Sequence, residues 1–173
     1  MTDHPYDRGA EVSGDSPSRP TVAIVPESAR LDRPELIRAL EDAYAVRFVG
    51  SSATDIDAAA AVIVFPGARP PERLAVPCLV LEGRGASDEG RSAFAVEMSR
   101  CAGLDRALHG QTLVEHGCSA AATVGVERGG RVLALAAGNP VWTQSDAGGV
   151  ERVTAGAAPD ELEDHEFLRA HLT

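Results

Sequence analysis

A glutamate stands at a bend of this sequence where many α/β enzymes place a nucleophile. Glu82 lies near the end of the apolar run CLVLEG (78–83), and a glycine-rich stretch follows it. The carboxyl edge of a parallel sheet is where such sheets bind ligands, so a carboxylate there has two candidate roles. It binds a polar ligand, or it acts as a general base. The alternative without chemistry is a solvated carboxylate at a strand end, next to Arg84.

The cysteines and histidines give no metal or disulfide pattern. Cys78, Cys101 and Cys118 form no CxxC pair and are odd in number, which predicts reduced, half-buried thiols. His109 and His116 lie near Cys118 in the sequence, but no fourth ligand accompanies them. We therefore predict neither a metal nor a cofactor.

The glycine-rich stretch 83–90 is a weak candidate for a phosphate site. Backbone N–H groups that precede a helix favour anions. The spacing nevertheless fits neither the dinucleotide fingerprint nor the P-loop, and Asp88 and Glu89 would repel a phosphate. A plain loop before a helix is the better interpretation.

Alternating strand and helix patterns position these residues. The continuous apolar run 21–27 predicts a strand buried on both faces of a parallel sheet, and further strands are predicted at 45–51, 61–68 and 78–83. Helical patterns follow at 31–44, where Asp32, Pro34 and Glu35 form a capping signal, and at 89–103, where Gly103 closes the helix. This alternation predicts an α/β fold, a three-layer sandwich with a mostly parallel sheet, flavodoxin-like or amidotransferase-like.

The pattern changes after residue 110. The stretch 120–138 contains two strand-like runs around Gly129-Gly130, which predicts a late β-hairpin with its turn at these glycines. Asn139 and Trp142 follow at the predicted strand end, where the tryptophan packs the core edge or lines a pocket. The stretch 159–173 predicts a final helix with an acidic, solvated face.

Composition limits the domain organisation and the partners. Residues 1–20 are rich in Pro, Ser, Gly and Asp, so we expect a flexible N-terminal tail before a single domain over 21–173. The formal net charge of −10 disfavours nucleic acid and anionic membrane surfaces. No apolar run approaches the roughly 20 residues of a membrane span, and the N-terminus lacks a secretory pattern. These features predict a cytoplasmic protein.

Three stretches, taken in order, resemble the class I glutamine amidotransferase-like superfold, which includes non-catalytic relatives such as ThuA-like domains. The corner Pro66-Gly67-Ala68 is similar to the family's Pro-Gly-Gly corner, whose backbone N–H groups help form an oxyanion hole. The stretch 76–87 resembles the strand and turn that hold the family's catalytic cysteine. The stretch 125–142 resembles the late hairpin before its His-Pro-Glu motif. Together the resemblance covers roughly residues 21–142.

The resemblance implies that all three catalytic positions are altered. Glu82 stands at the position of the nucleophile, and Asn139 and Val141 stand at those of the base and its carboxylate partner. Asparagine cannot act as a general base, and valine cannot orient one. We therefore expect a non-catalytic domain that binds a small polar ligand or a protein partner. The candidate ligand-binding residues are Gly67, Ala68, Glu82, Gly83, Arg84, Asn139 and Trp142.

Two other functions stay open at this point. One is a small hydrolase or lyase in which Glu82 is the general base, aided by Asn139 and the backbone N–H groups near Gly67. The other is a structural or interaction subunit, with a homo-oligomer among its forms. The sequence is also compatible with a piece of a longer protein.

Overall fold

The structure is a computed structural model, and it describes residues 19–31, 35–50, 56–71, 74–83, 92–101, 106–118, 123–146 and 148–156. Within these ranges the chain forms one α-helix, two short 3-10 helices and nine strands. The helix α1 is Glu35–Ala43, and the 3-10 helices are Glu27–Leu31 and Arg106–Leu108. The strands are β1 Thr21–Val25, β2 Ala45–Phe48, β3 Ala61–Val64, β4 Cys78–Leu81, β5 Ser92–Met98, β6 Thr112–Cys118, β7 Arg131–Ala136, β8 Asn139–Asp146 and β9 Glu151–Ala155.

All nine strands join one mixed sheet in the order β2-β1-β3-β4-β9-β8-β7-β5-β6. The pairings from β2 to β9 are parallel, and those from β9 to β6 are antiparallel. The α/β class is therefore confirmed, but the expectation of a mostly parallel sheet is wrong for the second half. Short connections such as the one between β7 and β8 permit only antiparallel pairing, because a parallel crossover needs a dozen or more residues.

The predicted helix at 89–103 is wrong, because β5 lies there. Its described side chains alternate: Val96 and Met98 are buried, whereas Ala95 and Glu97 are exposed. A period of two is the pattern of a half-buried strand rather than a helix. The described part of the predicted helix therefore belongs to the antiparallel half of the sheet, where β5 pairs with β6 and β7.

The late hairpin exists, but its turn is not at Gly129-Gly130. Residues 123–127 form no strand, and β7 instead pairs with β8 through Ala137 and Gly138. These two residues have φ values of 48° and 78°, the geometry of a two-residue type I′ turn. Gly-Gly is the stronger turn signal in sequence, and the Ala-Gly pair gave no comparable one. Asn139 therefore begins a strand instead of ending one.

Both faces of β1, β3 and β4 are buried, whereas the edge strand β2 is partly exposed. On one face α1 packs against the sheet through Leu36, Ile37 and Leu40, which contact the side of β1, β3 and β4 that carries Val22, Ile24, Ile63 and Leu81. On the other face, side chains from the connecting segments cover the sheet: Val49, Ile56, Ala59 and Leu74. The strands β1, β3 and β4 therefore lie inside the molecule.

Several expectations concern residues that the structure does not describe. The capping residues Asp32 and Pro34, most of the tail 1–20 and the final helix 159–173 lie outside the described residues, as does Arg84. Among the described residues, no helix has the length and apolar character needed to cross a membrane.

Candidate ligand-binding site

A cavity of about 340 Å³ lies beside the carboxyl ends of β3 and β4. Its volume is within the roughly 300–1,000 Å³ of small-molecule sites. The corner after β3, the end of β4, one face of β9 and a residue from the loop before β7 contribute to its wall. The lining residues are Pro66, Gly67, Ala68, Pro70, Val80, Leu81, Glu82, Glu127, Arg152 and Thr154.

The corner after β3 is a tight turn that brings the chain over the sheet edge. The Ala68 N–H donates to the Phe65 carbonyl oxygen at 3.2 Å, and Gly67 has a φ of 85°. Proline at the second position and glycine at the third are the residues that a type II turn favours. The Ala68 N–H is therefore engaged inside the turn, which leaves it poorly placed to stabilise an oxyanion.

Glu82 follows β4 and is held by its backbone. Its N–H donates to the Ala155 carbonyl oxygen at 2.8 Å, which extends the β4–β9 pairing by one residue. The side chain is exposed, and Gly83 next to it is buried. A general-base role would be favoured by burial of this carboxylate, and the exposed position does not provide it. A carboxylate at the mouth of a cavity can instead bind a ligand cation or donor.

Arg152 supplies the charge on the opposite wall, and the sequence reasoning missed it. Its guanidinium donates from Nη1 to Glu127 Oε1 at 3.1 Å and from Nη2 to the Pro71 carbonyl oxygen at 3.4 Å. The side chain is only 13% exposed, and its Nε is buried without a partner among the described residues. A buried N–H donor without an acceptor costs free energy. The one feature of the sequence that could have indicated Arg152 is its charge inside the strand-like run ERVTA (151–155).

Glu127 is positioned by a loop that the sheet anchors. Thr143 on β8 donates its hydroxyl to the Gly125 carbonyl oxygen at 3.3 Å, and the Val124 N–H donates to the Pro140 carbonyl oxygen at 2.9 Å. Thr143 also lies opposite Thr154 in the β8–β9 pairing. The loop that carries Glu127 is thus fixed to the same strand pair that carries Arg152 and Thr154.

Asn139 and Trp142 do not line this cavity. Asn139 is exposed at the start of β8, with its Nδ2 3.4 Å from the Ala137 carbonyl oxygen. The strand β9 lies between β4 and β8, so it separates the Asn139 corner from Glu82. Trp142 is 2% exposed in the core and lines a different, apolar cavity of about 510 Å³ with Leu40 and Tyr44.

The Cys78 thiol is close to the site but is not suited to nucleophilic chemistry. Burial raises the pKa of Cys78 to about 11, and the nearby Arg152 guanidinium offsets only part of that effect. The thiol, not the thiolate, is therefore present near neutral pH, and the thiolate is the reactive form. Among the described residues no three metal-ligating side chains lie together.

Comparison with known proteins does not identify a family for this chain. No protein-family model matches the chain, and no curated protein matches it in sequence. A function can therefore be inferred only from the side chains that line the cavity.

Proposed function

We propose that this chain is a non-catalytic α/β domain that binds a small polar ligand in the cavity at the carboxyl ends of β3 and β4. One observation carries the proposal: the Gly67 corner and Glu82, from two neighbouring strand ends, line the same cavity as the partly buried Arg152. The apolar residues Val80 and Leu81 also line the cavity, although polar atoms contribute more of its exposed wall than apolar atoms do. A concave site of this size in which a few polar groups converge can hold a small polar molecule.

The order of the parallel strands supports a flavodoxin-like or amidotransferase-like three-layer domain as part of this proposal. The order β2-β1-β3-β4-β9 has the 2-1-3-4-5 arrangement of doubly wound folds, with β9 as the fifth parallel strand. Such sheets bind ligands outside the carboxyl ends of their strands, near the point where the order reverses. That point is between β1 and β3, and the cavity begins at β3.

The side chains of the cavity favour binding over catalysis. A nucleophilic mechanism needs a thiol or hydroxyl within reach of a base. The described lining residues include no cysteine, and no histidine accompanies the hydroxyl residue Thr154; their ionisable groups are Glu82, Glu127 and Arg152. A hydrolase or lyase with Glu82 as general base has less support, because that side chain is exposed. A protein partner that places one polar side chain in the cavity is compatible with the same geometry.

A titration experiment tests the binding function. The protein is titrated in a calorimeter with a panel of small amines, carboxylates, amides, amino acids and sugars. We expect binding by at least one class, and we expect Thr154→Leu to weaken it because the larger apolar side chain fills the cavity. Thr112→Leu, at an exposed position on β6, is the matched control. Absence of binding across the panel at millimolar concentration, or equal binding by the Thr154→Leu protein, would overturn the proposal.

A second measurement tests the absence of catalysis. The protein is incubated with glutamine and with small amide and ester substrates, and product is followed over hours. We expect no release above the uncatalysed background. Turnover that disappears in Glu82→Gln protein would favour the general-base alternative instead.

A further inference from the structure

A second cavity lies on the face of the sheet that packs against α1. It has a volume of about 510 Å³, within the range of small-molecule sites. Side chains from α1, β1, β3, β4, β8 and β9 line it, among them Leu40, Val22, Ile63, Leu79, Trp142 and Val153. These six belong to the hydrophobic cluster that α1 forms with the sheet. The cavity is therefore an apolar space beside the helix, and it shares no residue with the polar cavity at the ends of β3 and β4.

The open part of this wall includes side chains on two central strands. Leu79 on β4 and Val153 on β9 are partners in the parallel pairing, and both are half-buried. The next residues on the same face, Leu81 and Ala155, are also partners and are buried. Because parallel sheets normally have both faces covered, the half-buried pair is unusual. The cavity therefore lies over an apolar part of the sheet that the described residues leave partly uncovered.

Two further half-buried residues line the cavity beside this pair. They are Tyr44, which follows α1, and Ala61, which begins β3. A molecule in the cavity can contact these accessible side chains directly. Trp142, in contrast, is 2% exposed and supports the wall from the core. Since most of the wall stands on strands and a helix, the cavity is formed before a ligand arrives, as small-molecule sites usually are.

The cavity contains little charge. Glu151 is its one acidic residue, and the described lining residues include no arginine, lysine or histidine. Glu151 is exposed, and its Oε1 accepts a hydrogen bond from Gln144 Nε2 at 2.9 Å. A ligand carboxylate would be repelled by Glu151 and would find no cation among the described lining residues. Because a charged group without a partner is costly to bury, the cavity favours an uncharged ligand.

From these observations we propose that the cavity beside α1 is a second binding site, whose ligand is a compact, uncharged and mainly apolar molecule. Leu79 and Val153 contact the hydrocarbon or aromatic body of this ligand, and Tyr44 and Ala61 contact it beside them. Removal of apolar surface from water drives the binding. The inference goes beyond the proposed function and does not rest on it, so either site can fail without the other.

Three probes with the same cyclohexane ring test the class of ligand. They are cyclohexanemethanol, cyclohexanecarboxylate and cyclohexanemethylamine, which are neutral, anionic and cationic near neutral pH. Binding of each probe to the full chain is measured by equilibrium dialysis. We expect the neutral probe to bind about tenfold or more tightly than either ion, because the ions lose hydration without gaining a buried counter-charge. Equal binding of all three probes, tighter binding of either ion, or no binding of the neutral probe would overturn the inference.

The variant Val153→Phe tests the place of binding. The larger side chain should occupy part of the cavity and weaken binding of the neutral probe about tenfold or more. The matched control is Val126→Phe, at a position that is 48% exposed and outside the cavity, and it should bind the probe as the unaltered protein does. Thermal melts show whether both variants are folded. Unchanged binding by folded Val153→Phe protein would place the probe elsewhere and overturn the site.

A labelling experiment keeps the site testable if Val153→Phe does not fold. In Val153→Cys protein the new thiol stands in the cavity wall, and iodoacetamide labelling with peptide mass spectrometry measures its rate of modification. We expect it to react faster than the buried Cys78, and we expect the neutral probe to slow it. The probe should not slow Val126→Cys. If the thiol at position 153 is as inert as Cys78 without the probe, another part of the chain or a second copy covers this face, and the site is overturned. Labelling that the probe does not slow would also overturn it.

Discussion

Arg152 lies directly opposite Cys78 across the parallel β4–β9 pair. The guanidinium lowers the pKa of the Cys78 thiol, but burial has the larger effect and raises it to about 11. One arginine therefore lines the cavity at the ends of β3 and β4 and also affects an interior thiol. The chemistry of the thiol and that of the cavity can be tested separately.

Cys78 should be inert to alkylation near neutral pH. With its pKa at about 11, only a very small fraction is thiolate at pH 7, and the side chain is buried. Iodoacetamide labelling followed by peptide mass spectrometry should show Cys78 modified far more slowly in folded than in urea-unfolded protein. Rapid labelling of Cys78 in the folded protein at pH 7 would contradict this placement.

The same thiol should make stability fall at alkaline pH. Because its folded pKa is raised from 9.0 to about 11, the unfolded state loses the proton first as pH rises. The free energy of unfolding therefore falls as the pH rises from 9.0 to about 11. The stabilising contribution of the protonated Cys78 thiol is fully present below pH 9. Urea unfolding across this range should show a decline that is absent in Cys78→Ala protein. An equal decline in both proteins would assign it to other groups.

Removing Glu127 should cost more stability than removing Arg152. Glu127→Gln leaves a guanidinium that is 13% exposed without its counter-charge, whereas Arg152→Met frees a carboxylate that is 53% exposed and can be solvated. We expect losses of about 1–3 kcal/mol for the first and about 1 kcal/mol or less for the second. Urea unfolding measures both, with Glu97→Gln as an exposed control. A larger loss of stability in Arg152→Met than in Glu127→Gln would mean that the packing of the aliphatic part of Arg152 contributes more than the ion pair.

Trp142 should report on the core and not on the ligand. It is the single tryptophan and is 2% exposed, so its emission should be blue-shifted and weakly quenched by acrylamide until the protein unfolds. Trp142→Ala should cost about 3–5 kcal/mol, as for other large core side chains. A strong emission change on ligand binding would place the ligand in the apolar cavity beside α1.

A substitution in the β7–β8 turn should raise the thermal stability of the protein. Ala137 has a φ of 48°, which an alanine adopts at a cost of about 1–2 kcal/mol, and asparagine tolerates this region better. Ala137→Asn creates the Asn-Gly pair that type I′ turns prefer and should raise the midpoint of thermal unfolding. Gly138→Val, at a φ of 78°, should lower it. A neutral or destabilising Ala137→Asn would indicate a different turn geometry.

The strands β1, β3 and β4 were predictable because each is a continuous apolar run, and burial on both faces requires such a run. The edge strand β2 was also predicted, although Arg47 interrupts its apolar pattern. The strand β5 was not, since its residues SAFAVEM also suit a helix and only the pairing with β6 and β7 decides between them. The sequence also predicted that Gly67 and Glu82 line one cavity, because they follow the ends of the neighbouring strands β3 and β4. Asn139 was expected with them, but β9 returns from late in the chain to lie between β4 and β8, an order that no local pattern encodes.

The inserted strand β9 has a consequence for folding. The hydrogen bond between Arg152 and Pro71 joins residues 81 positions apart, and contacts of such long sequence separation form slowly because a large loop must close first. During synthesis the first four strands emerge well before β9, with the edge of β4 still unpaired. The wall that Arg152 and Thr154 contribute can therefore be assembled only after the chain has been made at least to β9, so the cavity stays incomplete while the first four strands can already pair.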